Sequence, residues 1–188
     1  MSYIMVVNKS AWPLHAALSW AGIQQQCANN IATGGNSHDF VVGLGAGDLT
    51  VVPGSKGNQF DPKNNNAWKD IGKFLFDIAS IINPLAAVSR LALYPDDTGL
   101  FTLGVEPNGA GSGIKNVKLA GKALRISPVQ VTELYYPDGY TVTVTGGQVT
   151  GDWDEGSETF TVTDVKPLSL NWKNRQSHTS GNVRGRVG

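Results

Sequence analysis

The sequence predicts a mainly β (α+β) protein, an antiparallel β-sandwich or barrel of about ten short strands with a helical insertion at about 66–93. Three observations predict it. Short runs rich in Val, Ile, Thr and aromatic residues alternate with turn residues in two blocks, one before Pro53-Gly54 and one after Leu100. The 188 residues include 23 Gly and 9 Pro, a composition suited to many turns. Between the blocks runs the one sustained helical period, Trp68, Ile71, Leu75, Ile78, Ile82 and Leu85, with Phe74, Ile81 and Val88 widening the stripe.

Tyr3 to Val7 is a β-type run ended by the turn formers Asn8-Lys9-Ser10, and His15 to Trp20 supplies its expected hairpin partner. A polar stretch follows, with Gln24-Gln25-Gln26, Asn29-Asn30 and the turn Gly34-Gly35-Asn36-Ser37. Asp39 to Leu44 and Asp48 to Val52 read as two strands around Gly45-Ala46-Gly47. Residues 54–66 read as a loop rich in Gly, Asn, Lys and Pro. One of Asn64, Asn65 and Asn66 caps the expected helix, and Asp70 suits the positive end of its dipole. Pro84 cannot donate to the carbonyl of Ser80, so the helix stops there and Asn83-Pro84 starts a second, short one to about Leu93.

Tyr94-Pro95-Asp96-Asp97-Thr98-Gly99 ends this unit, and Leu100 to Val105 returns to strand. Pro107 to Gly113 is a Gly-rich loop, and Ile114 to Ile126 has room for two short strands. Val129 to Tyr136, the turn Pro137-Asp138-Gly139 and Tyr140 to Thr145 read as the clearest hairpin, with Tyr140, Val142 and Val144 on one face and Thr141, Thr143 and Thr145 on the other. Glu158 to Val165 repeats the alternation, and Leu168 to Trp172 is the last expected strand. The domain is expected to span 1–175, with 176–188 a basic flexible tail.

Fifteen basic and fifteen acidic residues cancel, which removes a global field for nucleic acid. The last 18 residues carry Lys173, Arg175, Arg184 and Arg186 with no acid, whereas 121–170 is mostly acidic; the simplest reading is a solvated tail or mutual neutralisation. One cysteine, Cys27, excludes an intramolecular disulfide. Met1 to Val7 has no secretory features and no segment is a long apolar span, so the expected location is cytoplasmic, or outside after release without a signal peptide.

Chemistry-bearing patterns are sparse. His15, His38 and His178 form no metal-ligand spacing, no metal or cofactor is expected, and nothing around Cys27 would activate its thiol. Gly43, Gly45 and Gly47 precede another strand, not a helix, so they mark a turn and not a phosphate loop. Asp152-Trp153-Asp154-Glu155 misses the calcium-loop pattern and reads as a hairpin turn.

The expected function is therefore non-catalytic recognition of a target surface. The first form is membrane association, as in a defence or cytolysin-like protein, by the amphipathic face Trp68, Ile71, Phe74, Leu75, Ile78 and Ile82. In outline the arrangement is similar to small pore-forming cytolysins in which a β-sandwich carries a detachable amphipathic helix, although no motif of such a family is present. The second form is a lectin-like carbohydrate-binding sandwich, with Trp153, Asp152, Asp154, Tyr136 and Asp138 as candidate contacts. A hydrolase whose acids converge from distant positions is a third. The partners expected are a lipid surface or a glycan, not nucleic acid, and sheet edges leave self-association open.

Overall fold

The computed structural model describes residues 2–42, 46–54, 59–61, 63, 76–77, 81–82, 85, 91–105, 113–120, 125–135 and 138–187. Among these the protein is mainly β. A first sheet holds, in spatial order, β16 (Ser180–Arg184), β15 (Ser169–Asn174), β12 (Tyr140–Thr145), β1 (Ser2–Asn8) and β4 (Phe40–Val42). A second holds β11 (Val129–Tyr135), β5 (Ala46–Pro53), β2 (Leu14–Trp20) and β3 (Ile23–Ile31). A third holds β7 (Leu91–Pro95), β8 (Phe101–Val105), β13 (Val149–Asp154), β14 (Thr159–Val165) and β9 (Asn116–Leu119). A short pair joins β6 (Phe76–Asp77) to β10 (Arg125–Ile126). Most neighbours are antiparallel, but β1 runs parallel to β12 and β14 parallel to β9.

Period-two alternation explains how the three sheets share one core. Ile4 and Val6 of β1, Tyr140, Val142 and Val144 of β12, and Leu170 of β15 are buried together with Leu14, Ala16 and Leu18 of β2 and Leu49 and Val51 of β5. Leu103, Val149, Phe160 and Val162 bring the third sheet into the same cluster. Each such aliphatic or aromatic side chain contributes roughly 1.5–3 kcal/mol on burial. Strand β2 is buried on both faces, because Ala17 packs with Val52 and Phe60 on the side away from the main core.

Asn8 fixes the passage from the first sheet to the second. Its Nδ2 donates to the carbonyls of Trp12 and Ile31, both at 2.9 Å, and its Oδ1 accepts from the amide and hydroxyl of Ser10. The fully buried Trp12 donates its indole N–H to Gly147 O at 2.6 Å and ties this corner to the chain after β12. Asn8 heads the glycosylation-type triplet Asn8-Lys9-Ser10, and its complete burial leaves no room there for a sugar.

The edge strand β3 holds neighbouring segments through its own side-chain amides, which act as substitute peptide groups. Gln26 donates to Val41 O at 2.6 Å and accepts from Val41 N at 3.0 Å. Asn29 makes the same two-bond pair with Phe60, at 2.8 and 3.0 Å. Opposite His15 the register of β3 shifts, and the Asn30 N–H finds the His15 Nδ1 at 2.9 Å. A buried imidazole thus supplies an acceptor at a place where the ladder breaks.

Several expectations are corrected. The strands Val129–Tyr135 and Tyr140–Thr145 exist but do not form a hairpin, because both edges of β12 are taken by β1 and β15 while β11 pairs with β5. Likewise β1 and β2 lie in different sheets. Within the helical insertion expected at 66–93, Phe76–Asp77 and Leu91–Pro95 are strands, and helical backbone is described only at 81–82 and 85. The second short helix therefore does not reach Leu93, since Leu91 to Pro95 is paired throughout with β8. The segment expected as a flexible tail carries β16, paired along β15 from Ser169–Arg184 to Lys173–Ser180, and Arg186 N then donates to Ser127 Oγ.

Candidate functional site

The exposed side of the first sheet offers an open trough of about 590 Å³. Cross-strand register builds it. Thr141 of β12 stands opposite Lys173 of β15, which stands opposite Ser180 of β16. One step along, Thr143, Asn171 and Asn182 form a second row. Strand β1 extends the rows with the half-buried Met5 and Val7. Between the rows lie Trp172 and Gly181, which belong to the alternate set of positions. The alternation follows from sequence, because Tyr140, Val142 and Val144 bury one face of β12 and leave its threonines on the other.

Hydrogen bonds hold part of this face in place. Asn182 Nδ2 donates to Asn171 Oδ1 at 2.6 Å and to Ser169 Oγ at 2.9 Å, and Arg175 Nε donates to Thr141 Oγ1 at 3.1 Å. Among the described residues, the Asn171 amide nitrogen, the Thr143 and Ser180 hydroxyls and the Lys173 ammonium have no protein partner and line the trough. No carboxylate of the described residues lines it. The trough therefore presents donors and hydroxyls to a ligand, with one lysine to balance a negative charge.

Trp172 is held by its surroundings. Its ring meets Tyr140 edge-to-face, with centroids 6.0 Å apart. A Cβ on Gly181 would sit 2.5 Å from its ring carbons, so glycine at 181 lets β16 lie flat across the indole.

The residues expected at a site are placed as follows. Trp68, Ile71, Phe74, Leu75 and Ile78 lie outside the described residues, and so does Tyr136. Ile82 is fully buried in the main core beside Ile81, so it offers no surface for lipid. Trp153 is half-buried against the core, whereas Asp152 and Asp154 stand exposed on the same strand of the third sheet. Asp154 holds the turn into β14, accepting from Gly156 N, Ser157 N and Ser157 Oγ, and chiefly the hydroxyl bond keeps its carboxyl below the usual 3.8. Asp138 belongs to the first sheet's end, where it accepts from Asn174 Nδ2 at 2.6 Å. The structure does not bring it together with Asp152 and Asp154.

No group of three or more His, Cys, Asp or Glu side chains converges among the described residues. Burial, and secondarily Asp61, raises the Cys27 thiol, which disfavours the thiolate that a nucleophile requires. Sequence reasoning missed Asn171, Lys173, Ser180 and Asn182. The alternating threonines of β12 were a visible signal, but the rows need β16, whose own period is weak. No family model, curated protein or solved structure matches this chain.

Proposed function

We propose that the protein is a non-catalytic recognition module of β-sandwich type that holds a carbohydrate chain along the outer face of its five-stranded sheet. The observation that carries this reading is the pair of cross-strand rows, Thr141–Lys173–Ser180 and Thr143–Asn171–Asn182, lining a trough of about 590 Å³. Sugar hydroxyls both donate and accept, and a row of hydroxyl and amide groups on a rigid sheet meets them without reorganisation. Met5 and Val7 beside the rows provide apolar surface for the C–H faces of a sugar ring. Lys173, with no carboxylate of the described residues in the lining, favours a saccharide bearing carboxylate or sulfate groups. The Trp153–Asp154 region gives way to this face because Asp154 is already committed to its turn.

The test is a glycan array followed by calorimetry on the best ligand. Asn171→Ala and Lys173→Ala are each expected to weaken binding about tenfold, the effect of one lost hydrogen bond or charge contact. Binding by neither neutral nor acidic glycans would overturn the reading, as would variants that bind like the parent.

A further inference from the structure

The end of the second sheet carries an apolar tip with no part in the groove. Trp20 and Ile23 stand opposite each other across the two-residue turn Ala21-Gly22, both of whose residues have positive φ. Trp20 is 54% and Ile23 46% exposed. Val41, 43% exposed, is bound through its backbone to the Gln26 side chain, three residues or about 10 Å along β3 from Ile23. Two of the four large apolar side chains exposed among the described residues, Trp20 and Ile23, thus share the tip.

The chain around this tip is also free of charge. From Ser10 to Ser37 there is no Asp, Glu, Lys or Arg. Burial explains this for β2, and Val41 and Phe60 cover β3 at Gln26 and Asn29, but the start of β3 beside the turn is exposed and still uncharged. Here its outward positions are Ile23, Gln25 and Asn30. Among the described residues the charges that border the tip are mainly acidic: Asp48 opposite Ser19, Glu133 whose N–H donates to Asp48, Asp39 before Val41, and Asp61 whose carbonyl accepts from Gln24, with Lys63 beside it.

We propose that the Trp20–Ile23 hairpin tip inserts into the interfacial layer of an uncharged, zwitterionic lipid surface. A tryptophan with an apolar body and one N–H suits the headgroup level, and the hairpin behind it adds no charge that would have to be desolvated at the acyl boundary. Two side chains at a turn offer far less area than the roughly 800 Å² a protein partner needs on each side. The acidic border excludes anionic lipid as the preferred surface.

The experiment is flotation of the full chain with pure phosphatidylcholine vesicles, which contain no sugar for the groove, together with fluorescence quenching by bromine-labelled acyl chains. The expected result is binding that falls at least tenfold in the Trp20→Ser/Ile23→Ser double variant, with an unchanged melting curve because both side chains are exposed. Quenching should disappear in Trp20→Phe while flotation persists. Added phosphatidylserine should weaken binding, and Asn171→Ala should leave it unchanged. Failure of the parent to float, quenching that survives in Trp20→Phe, or a double variant that floats like the parent would each overturn the proposal.

Discussion

Asn8 shows how much one side chain can decide. A short amide that donates to two carbonyls and accepts from Ser10 twice holds the corner between two sheets, at a position from which water is excluded. Asn8→Ala leaves the Trp12 and Ile31 carbonyls with lost partners, and urea denaturation is expected to show a loss of about 3 kcal/mol. Asn8→Asp should cost more at neutral pH, because a carboxylate cannot donate to those carbonyls. Among the described residues, two exposed carboxylates contribute to the acid limb. Asp96, chiefly through the Thr98 hydroxyl, and Asp154, chiefly through the Ser157 hydroxyl, titrate below the usual 3.8. A lowered carboxyl pKa stabilises the fold above the unfolded value, and the contribution is lost as pH falls through the folded one. The double variant Asp96→Asn/Asp154→Asn should therefore show a shallower fall in Tm than the parent below about pH 4. Melting curves taken towards acid check this, and identical slopes would contradict it. In the sequence Asn8 reads as a plain turn residue, because nothing local announces that Ile31 will come to meet it.

At the scale of elements, Gly181 and Trp172 explain both a strand and why it was hard to read. β16 places Gly181 and Val183 on one face and Ser180, Asn182 and Arg184 on the other, so its apolar side contains one aliphatic residue. The apolar mass that covers this stretch comes from β15, where Trp172 occupies the space a larger residue at 181 would need. Gly181→Ala is expected to displace the indole from Tyr140, costing about 1–3 kcal/mol. Near-ultraviolet circular dichroism should lose the tryptophan signal, and an unchanged spectrum with parental stability would refute the account. Short β-type runs located β1, β2, β4, β5, β8, β11, β12, β14 and β15 from sequence, with strict one-face alternation in β12 and burial on both faces in β2. They could not supply partners: β11 and β12 follow each other closely yet enter different sheets. The stripe from Trp68 to Leu85 carried a helical period, but Ile81 and Ile82 are core residues and Phe76–Asp77 pairs with β10. A repeated spacing records which side chains avoid water, and Ile81 and Ile82 do so with helical backbone in the main core.

For the whole molecule, the three sheets meet in one core assembled from distant parts of the chain. Ile4 aligns with Tyr140 and Asn8 with Val144, while Thr159 aligns with Asn116. Such non-local pairing slows folding, so stopped-flow refolding should proceed in milliseconds to seconds. A sub-millisecond phase that recovers the full tryptophan signal would contradict that expectation. The groove shares this dependence, because the rows that line it combine β12 with strands beyond residue 168. The parallel seam between β1 and β12 also has a consequence for synthesis on the ribosome. β1 is synthesised before β4, pairs with it, and waits for Tyr140 to Thr145 to cover its other edge. At the usual rates of elongation that wait is on the order of ten seconds. Throughout it, Ile4 and Val6 remain available to any chaperone that binds short apolar segments of a nascent chain.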